Sequence, residues 1–502
     1  MIDAAQTFRQ HEVLITGANG FVGKVLLGLL FERFPDLKHL HLLIRPRPGR
    51  PARERFDKDV LASPPLERLQ APPRISVHDG DVGQPDCGLA EPDLDALAGR
   101  VSLVLNCAGL VEFFPPVDES FRSNVDGVEN VIALARRLGA KLLHVSTCFV
   151  CGESDGLVEE SDKIPGFYPR RKGPHDRSFR HDREIRYMRD RIRDVYQTAA
   201  SQPGAPDKET SQKLIDLGRQ RAAQWGWVNT YTYAKSLGEQ LIAAEPGLEW
   251  AIVRPAIVEA ALEFPFPGWV EGGRTAAPLV MMAMSGLRHW PVRRDAPLEV
   301  VPVDQVASSI LAAAALLLNG HGPRVYQIAT ADRNPALLGD IVEWLHSESH
   351  RRKPAGRRLV SFPGGVRILT ASEAERRRRR LERRLTGLQH FVVGLKRLAQ
   401  RTGLPGRRQL GALSVAMRTL GLRIQFREQT IELYQPFTLD NRFVFEAENI
   451  RRAQAMLSPE DRLRLPWTPD KIRWRDYWVN HEIQGIMKWV QPEIVKGRRV
   501  RV

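Results

Sequence analysis

The chain has 502 residues, 43% of them hydrophobic and 26% charged, with a formal net charge of +15. That length holds two to four domains, and that balance excludes disordered and fibrous classes. Apolar runs at 278–287 and 310–318 fall short of the roughly 18 residues that span a bilayer, four cysteines exclude a disulfide scaffold, and the opening MIDAAQTFRQHEV has no signal-peptide pattern, so the composition predicts a cytoplasmic protein, soluble or peripheral.

Residues 13–16 form a short apolar run ending in Gly17, a buried-strand pattern. Phe21, Val25, Leu26, Leu29 and Leu30 then recur on one helical face. Further strands are predicted at 39–44, 74–77, 101–106 and 141–145, the last read as running on through 142–150, with a helix over 124–138. Strands alternating with helices predict an α/β fold with a doubly wound parallel sheet of the Rossmann kind. The stretch 156–227 interrupts that order and is polar, charge-dense and mostly helical. Strand character resumes at 250–254, followed by a strand end and apolar helix over 300–318 and a late strand at 324–328. The chain is therefore divided into a dinucleotide-binding domain over 1–350 with a helical lid insertion at about 156–227, a basic amphipathic segment over 351–425, and a helical, tryptophan-bearing C-terminal region over 426–502.

Gly17-Ala18-Asn19-Gly20-Phe21-Val22-Gly23 reads G-x-x-G-x-x-G at a strand-to-helix junction. A pyrophosphate must approach the backbone there, and a Cβ would obstruct it, while the helix start supplies N–H groups and dipole. The second strand ends in Arg45, 22 residues beyond Gly23, where an NAD site usually places an acid. Arginine there, with Arg47 beside it, predicts NADPH through its 2′-phosphate. Asp81 and Val82, after the third strand, are candidates to face the adenine, although a turn aspartate fits the spacing as well.

Tyr231 and Lys235 stand four apart and share a helical face. An ammonium beside a phenol favours phenolate and lowers its pKa, so the tyrosine can pass a proton to a carbonyl oxygen that receives hydride. Tyr233 is two residues from Lys235 and points elsewhere. Ser146-Thr147, at the C-terminal end of a parallel strand, offers a hydroxyl donor to a developing oxyanion.

TGANGFVGK (16–24), LLIR (42–45), GDV (80–82), HVSTCFVCG (144–152), NTYTYAKSLGE (229–239), IVRPAIV (252–258), VVPVDQVASSI (300–310) and KIRWRDYWVNHEIQGIMKWV (471–490) occur in one order. That set resembles the extended short-chain dehydrogenases/reductases, and specifically the alcohol-forming fatty acyl-CoA reductases. The resemblance implies that the active-site hydroxyl is Thr147, five residues before Gly152, with Tyr231 and Lys235 completing the catalytic set. It implies cofactor contacts from Gly17, Gly20, Gly23, Ala108, Lys235, Pro255 and Ile257, with Ala256 and Asn124 nearby. Gly109 departs from the alanine that many relatives carry. The activity so implied is NADPH-dependent reduction of a long-chain acyl-CoA to the alcohol through an aldehyde. A thioester reductase that stops at the aldehyde and a sugar-nucleotide epimerase are the alternatives.

Cys148 and Cys151 read C-x-x-C, but on a strand residues i and i+3 face opposite ways, so no shared metal or disulfide is expected. His481-Glu482 lacks the second histidine of a zinc helix, His144 reads as structural, and no metal is predicted. The charge excess is local. Residues 351–423 hold 20 Lys+Arg against 3 Asp+Glu, including five arginines at 376–380, and the remainder nets −2. Leu388, Phe391, Val392, Leu395 and Leu398 recur at helical spacing there, flanked by Lys396, Arg397 and Arg401. An apolar stripe bordered by cations predicts docking on an anionic membrane surface. Packing on the protein's own core and attraction of CoA phosphates are the competing readings. No aromatic-interleaved strands accompany the basic run, so nucleic acid is not expected.

Overall fold

The computed structural model describes residues 1–67, 69, 74–173, 175–201, 207–273, 275–352, 365–402 and 407–495. The chain forms two compact units, one of residues 1–275, 299–336 and 443–502, the other of residues 276–298 and 337–442.

The first unit is built on seven strands: β1 Glu12–Thr16, β2 His39–Ile44, β3 Ile75–Asp79, β4 Val101–Asn106, β5 Lys141–Val145, β6 Trp250–Pro255 and β7 Val325–Ile328. Their order is β3-β2-β1-β4-β5-β6-β7, and every neighbouring pair is parallel. The order reverses between β1 and β4, which opens a crevice at the C-terminal ends of those strands. The principal helices are α1 Phe21–Arg33, α2 Val117–Asn124, α3 Asp126–Leu138, α4 His181–Ala200, α5 Asp207–Trp225, α6 Thr230–Ala244, α7 Val303–Leu318, α8 Ala371–Thr402 and α9 Arg407–Gln435. Right-handed crossovers on either side of the reversal put helices on both faces. On one, α1 packs against α7, and on the other α2, α3 and α6 pack together. Almost every side chain of α7 is apolar or small, and the whole helix is buried, as an all-round apolar helix must be.

Two predicted elements are divided. The helix expected over 124–138 breaks at Val125 (φ −120°, ψ −67°) between α2 and α3. The strand expected over 142–150 stops at Val145. Cys148–Cys151 is one turn of 3-10 helix, capped by Thr147, whose Oγ1 accepts from the Phe149 N–H at 3.3 Å. The chain then leaves through Gly152 (φ +69°), where a Cβ would lie 2.6 Å from the Gly226 carbonyl oxygen. The argument that Cys148 and Cys151 sit on opposite strand faces is therefore overturned, because residues i and i+3 eclipse in a 3-10 turn. Both are free thiols. Each is pushed up by burial, Cys151 to about 12, so neither is an activated nucleophile.

The stretch between Gly152 and α6 is rooted in the core. Tyr168, Phe179, Trp225 and Trp227 form an aromatic cluster that packs with Val117, Phe121 and Leu237 of α2 and α6. Glu184 of α4 accepts from Tyr233 of α6 and pairs with Arg221 of α5. Tyr233 thus faces the insertion, away from the Tyr231–Lys235 side of the helix.

The C-terminal helical segments brace the chain that follows β6. Glu482 accepts from the Ala260 N–H at 3.0 Å, and Tyr477 donates to the Ala260 carbonyl at 2.7 Å. Gly268 and Gly485 meet so closely that a Cβ on Gly485 would lie 2.1 Å from the Gly268 oxygen. Asp304, at the start of α7, accepts from the N–H groups of Leu262, Glu263 and Phe264.

In the second unit, His289–Pro291 pairs in parallel with Arg367–Leu369, and helix Ala277–Met284 packs on helix Leu338–Arg351. Helices α8 and α9 lie side by side and antiparallel, with Arg377 3.6 Å from Glu428 and Arg378 3.7 Å from Glu432.

Candidate active site

The glycine loop, Ala108 and Thr147 lie just beyond the C-terminal ends of β1, β4 and β5. The glycine loop is tight because two turns meet there. At Gly17 (φ +71°) a Cβ would lie 2.6 Å from the Cys107 carbonyl carbon, and at Gly23 it would lie 2.3 Å from the Gly17 oxygen. Gly20 caps α1 with no side-chain hydrogen bond, so the first-turn N–H groups stay available to an anion. Asn19, Phe21 and Val22 line the same turn, half-buried. Phe21 packs on Trp269 at 5.2 Å between ring centres, and Lys24 pairs with Glu271 at 2.6 Å. The cradle fits a nicotinamide dinucleotide, since a bare backbone and a free helix start are what its pyrophosphate requires.

Arg45 and Arg47 are exposed at the end of β2. Arg50 and Arg55, on the same turn, are engaged by Asp59, while no carboxylate pairs with Arg45 or Arg47 among the described residues. Asp81 is committed within the chain, one oxygen to Arg122 at 2.7 Å and the other to the Gly83 N–H at 3.0 Å. Val82 accepts from Asn130 at 2.8 Å. The Ala108 N–H donates to Thr16 Oγ1 at 3.2 Å, and Asn124 exchanges two hydrogen bonds with the backbone of Leu110. Pro255 ends β6, and Ile257 begins the short strand Ile257–Glu259, which runs parallel to Val300–Pro302.

Thr147 and Tyr231 are brought together, close enough for the Thr147 hydroxyl to act on the Tyr231 phenol. Thr147 also donates to the Pro255 carbonyl at 3.4 Å. Ser146 is buried, and its hydroxyl has no partner among the described residues. The expected lowering of the Tyr231 pKa by Lys235 does not appear. Burial pushes the Tyr231 phenol up, against a smaller opposing effect from Thr147. Burial also pulls Lys235 down to about 8.

Lys235 is held by contacts that the spacing did not foretell. Its Nζ donates to the Val145 carbonyl at 2.7 Å and lies 3.0 Å from His144 Nε2. His144 Nδ1 in turn lies 3.0 Å from Asn106 Nδ2. Sequence reasoning read His144 as structural because a lone histidine in an apolar strand has no local signature. Its place three residues before Thr147, facing the i+4 partner of Tyr231, was the available signal. A second buried pair, Glu239 with Arg254 at 2.5 Å, ties α6 to β6. No cluster of three or more potential metal ligands occurs among the described residues.

The sequence model described as male sterility protein matches residues 15–310. The chain is 26% identical to a probable fatty acyl-CoA reductase 5 of Arabidopsis thaliana, covering 97% of this chain and 99% of that one. It is 27% identical to an alcohol-forming fatty acyl-CoA reductase of Simmondsia chinensis, covering 66% and 69%. In fold it is similar to the terminal R domain from the myxalamid PKS-NRPS biosynthetic pathway, with a TM-score of 0.53 at 18% identity over 89% of this chain and 85% of that domain.

The cradle makes a prediction that separates binding from folding. A Cβ on Gly20 would meet only the Gly17 oxygen, at 3.3 Å. Gly20→Ala is therefore expected to keep the melting temperature close to that of the parent while weakening dinucleotide binding at least about tenfold, or 1.4 kcal/mol. Fluorescence titration beside a thermal melt checks both halves.

Proposed function

The chain belongs to the male sterility protein family, in the company of fatty acyl-CoA reductases, and on that footing we propose that it reduces a long-chain fatty acyl-CoA to the alcohol with NADPH. The observation that supports this best is the pairing of Thr147 with Tyr231, one helical turn from a Lys235 anchored at the end of β5, in a chain that also carries a glycine cradle. The bound cofactor supplies hydride to the thioester carbonyl. Thr147 and Tyr231 then donate to the oxygen as negative charge develops, in a buried setting where such donors are worth most. Tyr231, whose phenol burial keeps protonated, is the proton donor, and Lys235 orients the nicotinamide ribose. Collapse of the thiohemiacetal releases CoA thiol and the aldehyde. A second hydride and proton give the alcohol, so two NADPH are consumed per CoA released. We read the insertion at 156–227 as the wall that shields the acyl chain.

Incubation with NADPH and palmitoyl-CoA, followed by separation of aldehyde from alcohol, tests the reading. Alcohol with two NADPH oxidised per thiol is expected, aldehyde with one overturns the second step, and no turnover overturns the substrate. Tyr231→Phe should retain cofactor and lose about 100-fold or more of the rate. Near-normal alcohol formation by that variant removes Tyr231 from its role.

The cofactor preference rests on Arg45 and Arg47, exposed and without acids. Arg45→Ala is expected to raise the KM for NADPH far more than that for NADH, because only NADPH carries the 2′-phosphate. Equal effects on both make Arg45 a structural residue.

We also propose that the α8–α9 hairpin docks on an anionic membrane surface. No described helix is long and apolar enough to cross a membrane, so the contact is interfacial. Val415, Leu422 and Phe426 are about two-thirds exposed, and their i, i+7, i+11 spacing puts them on one face of α9. Phe391 and Val393 are exposed on α8, with Arg376, Arg379, Arg380, Arg383 and Arg384 on the same helix. The side chains of Leu388, Val392, Leu395, Leu398, Lys396, Arg397 and Arg401 lie outside the described residues. Exposed apolar groups beside cations complement anionic lipid headgroups. Co-sedimentation should favour anionic over neutral vesicles, weaken with salt, and drop when residues 376–380 are changed to glutamine. Equal recovery on both vesicle types sinks the docking reading.

A further inference from the structure

Thr16, Asn106 and His144 are direct register partners across β1, β4 and β5, so their side chains share one face of the sheet at its C-terminal edge. All three are buried, as is Lys235, which reaches them from α6. Each polar atom in this row must find its partner inside it.

The direction of the hydrogen bonds is set from one end. The Ala108 N–H is a fixed backbone donor, 3.2 Å from Thr16 Oγ1 and 3.3 Å from Asn106 Oδ1. Thr16 accepts that proton and donates its own to Asn106 Oδ1 at 2.5 Å. Asn106 therefore turns its amide NH₂ toward His144, and His144 Nδ1, 3.0 Å away, must accept. A neutral imidazole carries one N–H, which is then on Nε2, aimed at Lys235 Nζ 3.0 Å away. An ammonium has three donors and no acceptor, so it cannot receive that N–H. An uncharged amine can, and it still donates to the Val145 carbonyl.

We propose that His144 is a positioning residue which, with its tautomer set by Asn106, favours the uncharged amine of Lys235 over the ammonium.

The opposite arrangement carries a penalty. Protonating Lys235 requires Nε2 to accept and Nδ1 to carry the hydrogen. The Asn106 amide must then turn over, which sets its NH₂ against the Ala108 N–H and leaves the Thr16 hydroxyl hydrogen without its acceptor. Protonating the ring instead puts a second cation in a buried site, and burial holds His144 well below the ordinary histidine range. The other charged or titratable groups acting on Lys235 are Glu239 on its own helix and Cys107 after β4. Glu239 favours the ammonium but is committed to Arg254 of β6, and Cys107 is held as the thiol by burial.

The first test reads the tautomer directly by ¹⁵N-resolved histidine NMR on the cofactor-free protein. The His144 signals are assigned by their loss in His144→Gln or, should that variant not fold, through the backbone amide. From about pH 8 upward, where Lys235 passes to the amine, an Nε2–H tautomer is expected. An Nδ1–H tautomer or an imidazolium overturns the proposal. The second test is Asn106→Asp, whose carboxylate can only accept from Nδ1, so that Nε2 becomes an acceptor and the ammonium is favoured. The alkaline limb of kcat/KM, where the ammonium is lost as pH rises, should move up by more than about one unit. A purely structural Asn106 lowers the rate and leaves the limb in place, which counts against the proposal. This second arm rests on the catalytic reading of Lys235, whereas the tautomer does not, so the two failures are distinguishable.

Discussion

The register between β1, β4 and β5 is the constraint on which the site depends. It sets Thr16, Asn106 and His144 side by side, and a slip of one residue would send one of them to the other face of the sheet. The same register brings the turn after β1 against the turn after β4, where Gly17 leaves no room for a Cβ beside Cys107. The cofactor cradle and the lysine anchor are thus two outcomes of one strand alignment. The cradle uses the backbone at the strand ends, and the anchor uses the last side chains before them.

Much of this was legible in the sequence, and what was legible was local. The glycine loop, the alternation of strands and helices and the four-residue spacing of Tyr231 and Lys235 are periodic or short-range signals. All seven sheet strands could be placed within a few residues from them. The misjudged parts depended on partners remote in the chain. The run from Leu142 to Val150 looks like one strand because every residue except His144 is apolar or small. The Trp227 indole donates to the Val150 carbonyl, however, and Gly226 crowds Gly152, so the chain turns at Thr147. The Tyr231 pKa was misjudged for a related reason. Spacing gives the distance to a charge along a helix, but the cost of desolvation is set by everything packed around the phenol.

Buried carboxylates do structural work throughout the first unit. Glu299 accepts from the N–H groups of Thr330, Ala331 and Phe445, and Glu160 from those of Gln327 and Asn449. Each replaces a stretch of secondary structure that the irregular chain does not make, so loops far apart in sequence are satisfied at one side chain. Burial, opposed by these same N–H groups, raises both acids to about 7. They are therefore organisers whose ionisation is balanced close to neutrality rather than catalytic carboxylates.

The clasp between Ala260 and the segment 477–482 also governs when the protein is completed. Both polar groups of Ala260 are satisfied by Tyr477 and Glu482, and 222 residues separate Ala260 from Glu482. At a translation rate of about 5–20 residues per second, the partner leaves the ribosome roughly 10–45 s after the backbone it must satisfy. The cradle strands can assemble on the nascent chain, but the turn beyond Pro255 and Ile257 has to wait for Tyr477 and Glu482 to be made. A newly made chain therefore passes through a stage with its phosphate cradle formed and the backbone of Ala260 still unsatisfied.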